Sequence, residues 1–114
     1  MELAPVKFVQ MNEESSPLDG VSPTDLSGLG ANTISESLGL DILDVQHGLV
    51  VGRLPVDART HQPYGLLHGG ASVVLAETLG SVGSHFIAAP KGKSAVGVEV
   101  NANHLRSVLS LIHI

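Results

Sequence analysis

Residues 62–84 read QPYGLLHGGASVVLAETLGSVGS, and this stretch decides the fold. Pro63 and Gly65 mark a loop, a His-Gly-Gly step at 68–70 opens a helix-like run, and that run carries one charged side chain, Glu77. Ala71, Val74, Leu75, Leu79, Val82 and Phe86 follow i, i+3, i+4 spacing and form one continuous apolar stripe. Pro90 and Gly92 supply the stop signal, so the spacing predicts a helix over 70–87.

Working outward, residues 57–65 (DARTHQPYG) have no periodicity and read as a loop that leads straight into the helix. Before them, LDILDVQ alternates loosely, His47-Gly48 acts as a turn, and LVVGRLPV resumes a β-type run, which predicts an antiparallel hairpin. Ser22 followed by Pro23 starts a short helix over 23–29 that Gly28 and Gly30 stop, and a second short helix is expected over 33–38. After the long helix comes SAVGVEVNANHLRS, where Val96, Val98 and Val100 share one face, a period of two that predicts a half-buried strand. The closing VLSLIHI is apolar enough for one more short strand. Residues 1–21 form an irregular arm and 22–114 a single α+β domain, with no internal repeat.

Composition narrows the function classes. A chain of 114 residues makes one domain with one core, and at 3% aromatic content that core must come from Val, Leu, Ile and Ala. Such a chain gains much by self-association. A formal charge of −5 with only six scattered Lys and Arg argues against nucleic acid and against an anionic membrane surface. The N-terminus lacks a cationic start followed by a long apolar run, no uninterrupted apolar run reaches membrane-span length, and there is no Cys; the expected location is cytoplasmic.

The chemistry sits in the helix. On the helical wheel Glu77 shares its side with Val73, Gly80, Ser81 and Ser84, a surface of small side chains that leaves room for something to approach. Gly80 and Gly83 each cost about 1 kcal/mol relative to Ala in a helix interior, which suggests close approach of a backbone or a ligand; ordinary helix packing is the alternative. At the helix start, Gly69 and Gly70 present backbone N–H groups at the positive end of the dipole, able to polarise a carbonyl oxygen, although a purely structural Gly-Gly step would look the same. His68 and Glu77 are nine residues apart, about half a turn out of phase at roughly 100° per residue. A site that uses both the helix start and Glu77 is therefore more simply assembled from two copies of the chain related by a two-fold axis.

GRLPVDARTHQPYGLLHGGASVVLAETLGSVGS together with GVEVNANHLRS resembles the hotdog-fold acyl-CoA thioesterases, nearest to the PaaI-like branch that hydrolyses 1,4-dihydroxy-2-naphthoyl-CoA and related acyl and aroyl thioesters. The likeness covers about residues 32–107. It implies a long central helix wrapped by an antiparallel sheet, self-association as a dimer or tetramer, and a role in menaquinone biosynthesis. It also implies Glu77 as catalytic carboxylate, acting as nucleophile or general base, and Gly69 as oxyanion donor with Gly70 beside it in substrate binding. Gln62 and His68 would orient the thioester, Ser81 would help place the attacking water or the acyl group, and His104 and Arg106 would contact the coenzyme A nucleotide. Coenzyme A is part of the substrate, and no separate cofactor is implied. Past Arg106 the tail 108–114 does not look like the family, which implies that the final strands are missing by truncation. Two other expectations stand beside hydrolysis: an inactive acyl-CoA-binding or structural fragment, and, ranked lower, a hydroxyacyl-thioester dehydratase.

Other signatures are absent. There is no GxxxxGK[ST] and no HExxH, and the GLG around Leu29 has Thr33 where a dinucleotide loop needs its third glycine. The six His residues show no short-range ligand spacing, so no metal is expected.

Overall fold

The first apolar runs form a hairpin: β1 (Asp41–Gln46) pairs antiparallel with β2 (Leu49–Leu54), closing with Gln46 opposite Leu49; of the turn expected at His47-Gly48, His47 lies outside the described residues. Gly48 has φ 71°, a left-handed conformation that costs glycine nothing and that tight hairpin turns require. The ladder shifts between Ile42 and Asp44, leaving Leu43 without a cross-strand partner. A two-residue strand, β3 (Ile112–His113), pairs antiparallel with β2 at Arg53 and Leu54, so β2 is the central strand. The computed structural model describes residues 26–46, 48–109 and 112–113.

Before the hairpin, α1 (Ile34–Leu38) starts at Thr33, whose hydroxyl accepts the Ser35 N–H at 3.2 Å, and ends at Gly39 with φ 71°. Glu36 reaches back to the Asn32 N–H at 2.6 Å, so both sides of the helix start are closed by side chains. The long helix α2 (Gly69–Ala88) lies on β2 and buries Ala71, Leu75 and Leu79, one residue per turn. Leu75, Leu79 and Leu54 are the fully buried centre of the core, with Val45, Val50 and Leu26 around them. Full burial of side chains this size contributes roughly 1.5–3 kcal/mol each. Helix and sheet come close because of Gly52, where a Cβ would lie 2.7 Å from the Leu79 side chain and 3.0 Å from the Asp41 carbonyl. A Cβ at Gly83 would meet Val50 at 3.4 Å, so that glycine belongs to ordinary packing against the sheet.

The α+β arrangement, the hairpin and the long helix agree with expectation, and the observed bounds of α2 exceed the 70–87 expected by one residue at each end. Residues 34–38 are helical as expected; of the helix expected over 23–29, residues 23–25 and the whole arm 1–21 lie outside the described residues, while Ser27–Gly30 form a 3-10 turn. The half-buried strand at Val96, Val98 and Val100 is corrected: residues 93–105 carry no strand, and Val96 and Val98 are 84% and 95% exposed. The alternation shows only that these side chains would suit a pleated, one-sided surface, and β2 already has β1 on one edge and β3 against its end. The segment passes beside α2 instead, with Gly97 against Glu77 and His104 against Gly69. By length and hydropathy alone, Gly69–Lys91 would suffice to cross a membrane, a criterion that core helices also meet. Here its apolar stripe packs against β2.

Candidate active site at the start of the long helix

The loop between β2 and α2 is built around Thr60. The Asp57 carbonyl accepts N–H groups from Thr60 and His61, each at 2.9 Å, closing a turn. The Asp57 N–H donates to Thr60 Oγ1 at 3.1 Å, and the Thr60 hydroxyl donates to the Pro55 carbonyl at 2.8 Å. Outside this turn Arg59 grips the Asp57 carboxylate, Nη2 to Oδ2 at 2.6 Å, and lies against Gly39. The side-chain hydrogen bond from Arg59, helped by the Arg59 backbone N–H, pulls the Asp57 carboxyl from 3.8 to about 2, and the pairing raises Arg59 in turn.

From His61 the chain makes a narrow excursion and returns at Leu67, held by a His61–Leu67 bridge and by the Gln62 N–H on the Leu66 carbonyl at 2.8 Å. Gly65, with φ 80°, closes the tip. The Gln62 side-chain oxygen accepts the Tyr64 N–H, which leaves the amide NH2 of Gln62 as its outward donor.

At the helix start the backbone donors are accounted for one by one. The His68 N–H bonds the Thr60 carbonyl at 2.8 Å, the Gly70 N–H bonds His68 Nδ1 at 2.9 Å, and the Ala71 N–H bonds the His68 carbonyl at 2.9 Å. Among the described residues the Gly69 N–H has no partner, as the first turn of a helix leaves it. With Nδ1 accepting, a neutral His68 carries its proton on Nε2.

Gly69 opens into a cleft of about 470 Å³ whose polar lining is Gln62, Ser72, His104, Arg106 and Ser107, with Leu66 and Leu105 among its apolar walls. His104 Nε2 lies 2.7 Å from where a Cβ on Gly69 would stand, so only glycine permits this contact. Glu77 is outside the cleft. It stands eight residues along α2, about 12 Å down the axis from Gly69 at roughly 1.5 Å per residue. Its side chain is exposed, with Oε1 2.8 Å from where a Cβ on Gly97 would be. Ser81 and Ser84 are exposed as well, and Val73 and Gly80 are half-buried, so the small-residue face lies away from the core.

Of the residues singled out in the sequence, Gln62, Gly69, His104 and Arg106 therefore share one cleft. His68 caps the helix and engages the Gly70 N–H, while Glu77 and Ser81 lie along the helix flank. The sequence reading missed Thr60, Ser72 and the Asp57–Arg59 pair. The available signal was the Asp57-x-x-Thr60 spacing, where short polar side chains bond nearby backbone to build turns. Among the described residues no group of three or more His, Asp or Glu is placed to hold a metal ion.

Comparison with known proteins points one way. Residues 64–110 match the profile of the Thioesterase superfamily. The proofreading thioesterase EntH of Klebsiella pneumoniae is 48% identical over 75% of this chain and 61% of its own length. A crystal structure of a mutant of thioesterase PA1618 from Pseudomonas aeruginosa superposes with a TM-score of 0.78 at 42% identity, covering 82% of this chain and 68% of that one. Thioesterase HI1161 from Haemophilus influenzae gives a TM-score of 0.76 at 40% identity, covering 82% and 65%. The chain spans about 61% of the length of curated relatives that it matches.

Proposed function

The chain belongs to the thioesterase superfamily, and from that premise we propose that it hydrolyses acyl- or aroyl-coenzyme A thioesters to the free acid and coenzyme A. The observation that carries this reading is the Gly69 N–H, the one donor from His68 to Ala71 without a partner among the described residues, opening into a cleft beside the Gln62 amide. A thioester carbonyl seated there has its developing negative charge met by a fixed donor at the positive end of a helix. Gln62 adds its amide NH2, and His68, with Nδ1 committed to the Gly70 N–H, helps orient the thioester from the helix cap.

Glu77 of the same chain is about 12 Å down the helix axis from Gly69. In this proposal a second copy, related by a two-fold axis, brings its Glu77 to the cleft. The carboxylate either takes a proton from water as the water attacks the carbonyl carbon, or attacks that carbon itself to give an anhydride that water then opens. Either way the C–S bond breaks and coenzyme A leaves as a thiolate that takes up a proton. Ser81 and Gly70 help place water and acyl group, His104 and Arg106 face the nucleotide phosphates, and no separate cofactor takes part. The specific form of the proposal is a cytoplasmic dimer or tetramer acting on 1,4-dihydroxy-2-naphthoyl-CoA in menaquinone biosynthesis.

Glu77→Gln keeps the shape and removes the base or nucleophile. Its kcat/KM on benzoyl-CoA is expected to fall about 10²- to 10⁴-fold with circular dichroism unchanged. A variant as fast as the parent overturns the assignment.

A further inference from the structure

We infer that Thr60, buried behind the helix start and outside the cleft, is a positioning residue that sets the direction of the Gly69 N–H. It is the one buried polar side chain among the described residues, at 2% exposure. Such a group is stable only when its hydrogen bonds are made, and here both are: the hydroxyl donates to Pro55 and accepts from Asp57. Pro55 directly follows Leu54, the fully buried last residue of β2, so the hydroxyl ties the turn to the buried end of that strand. The main chain of the same residue reaches the other way, its carbonyl accepting the His68 N–H at 2.8 Å.

The direction of the Gly69 N–H is governed by ψ of His68, which is 127°. His68 is held at its N–H by Thr60, at its carbonyl by the Ala71 N–H, and at Nδ1 by the Gly70 N–H. Of these three hydrogen bonds, the Thr60 contact alone comes from outside the helix and its cap, adding to the packing of α2 on β2 a direct tie between the donor's own residue and the preceding loop. Loss of the hydroxyl leaves the Pro55 carbonyl and the Asp57 N–H without their partner in a half-buried place, which favours a shift of the turn toward water. That shift moves His68, and the Gly69 N–H with it. Donor placement matters at this scale, since a displacement of about 1 Å at a reacting centre costs on the order of 10²-fold in rate.

The rate arm of the test rests on the proposed thioester hydrolysis; the spectroscopic arm does not. Thr60→Val keeps the shape and removes the hydroxyl, whereas Thr60→Ser keeps the hydroxyl. In Thr60→Val, kcat on benzoyl-CoA is expected to fall about 10- to 100-fold with KM within about twofold, and Thr60→Ser is expected to recover to within about threefold of the parent. In parallel, the Gly69 amide resonance in a ¹H–¹⁵N NMR spectrum moves in Thr60→Val and returns in Thr60→Ser, while the Leu79 amide stays in place. Should Thr60→Val not fold, Thr60→Ala, which leaves room for a bridging water, takes its place with the same two readouts. A folded variant lacking the hydroxyl that keeps the parent's kcat and an unmoved Gly69 resonance overturns the inference. If the parent hydrolyses no thioester, the proposed function falls by itself and the NMR comparison alone decides the role of Thr60.

Discussion

Among the described residues, two long segments lie outside the helices and strands, and they could hardly differ more. Residues 55–68 wind through a turn and a narrow excursion, yet the polar groups around Thr60 and Gln62 are paired with one another and the only buried hydroxyl among the described residues sits in their midst. Residues 93–109 carry the cleaner alternating pattern, yet Val96, Val98 and Leu105 are all more than 80% exposed, and the backbone tie from Leu67 N–H to the Val108 carbonyl comes only near the end. The contrast separates two sources of order. A turn made of short polar residues satisfies itself locally, whereas an alternating run needs a neighbouring edge before its pattern has any effect.

The contrast is broken most severely from below, at the core on which α2 rests. Leu75→Ala is expected to cost about 2–5 kcal/mol, read from the urea midpoint, because Leu75 is fully buried and the cavity cannot close against a sheet. Gly52→Ala comes next, at about 1–3 kcal/mol by the same measurement, since the new methyl would meet both Leu79 and the Asp41 carbonyl.

A subtler test addresses the ordered loop alone. Asp57 titrates at about 2 in the fold against 3.8 ordinarily, so its contribution is complete above pH 4 and is lost as pH falls through 2. Asp57→Asn is expected to flatten that part of the melting-temperature profile between pH 4 and pH 2. The flattening should shrink in high salt, because the pair is exposed to solvent. The smallest effect belongs to the other segment: Val98→Ser is expected to change stability by less than about 0.5 kcal/mol. A larger loss would mean that Val98 is covered, and the comparison between the segments would fail.

What was legible in the sequence follows the same division. The long helix could be read almost to the residue, because an apolar stripe at helical spacing, opened by a His-Gly-Gly step and closed by Pro90 and Gly92, repeats its message over five turns. The hairpin was legible through His47-Gly48, and α1 through Thr33 at its start. Gly69 was named, beside Gly70, from the residues themselves and Gln62, His104 and Arg106 through the resemblance, and the fold gathers the four around one cleft. Of the two glycines, Gly69 was singled out as donor through the resemblance; that the Gly70 N–H is engaged by His68 Nδ1 was not legible, since it depends on how the His68 ring turns. Thr60 was invisible for a related reason: its importance lies in two backbone groups brought to it by a turn, and neither has a side-chain signature. The strand expected at Val96 to Val100 failed because pairing is a property of edges, which a single run of residues does not contain.

The irregularity at Leu43 bears on how length is tolerated in this sheet. Ile42 and Val45 are an odd number apart, which in an unbroken strand would send them to opposite sides, yet both pack with the core. The unpaired Leu43 works like a half-step in a screw thread: the strand changes phase there, and residues on either side return to the same face. β1 therefore carries one residue more than its partner has places for without surrendering a core contact. The loose alternation of LDILDVQ is the written trace of that half-step, two regular threads joined out of phase.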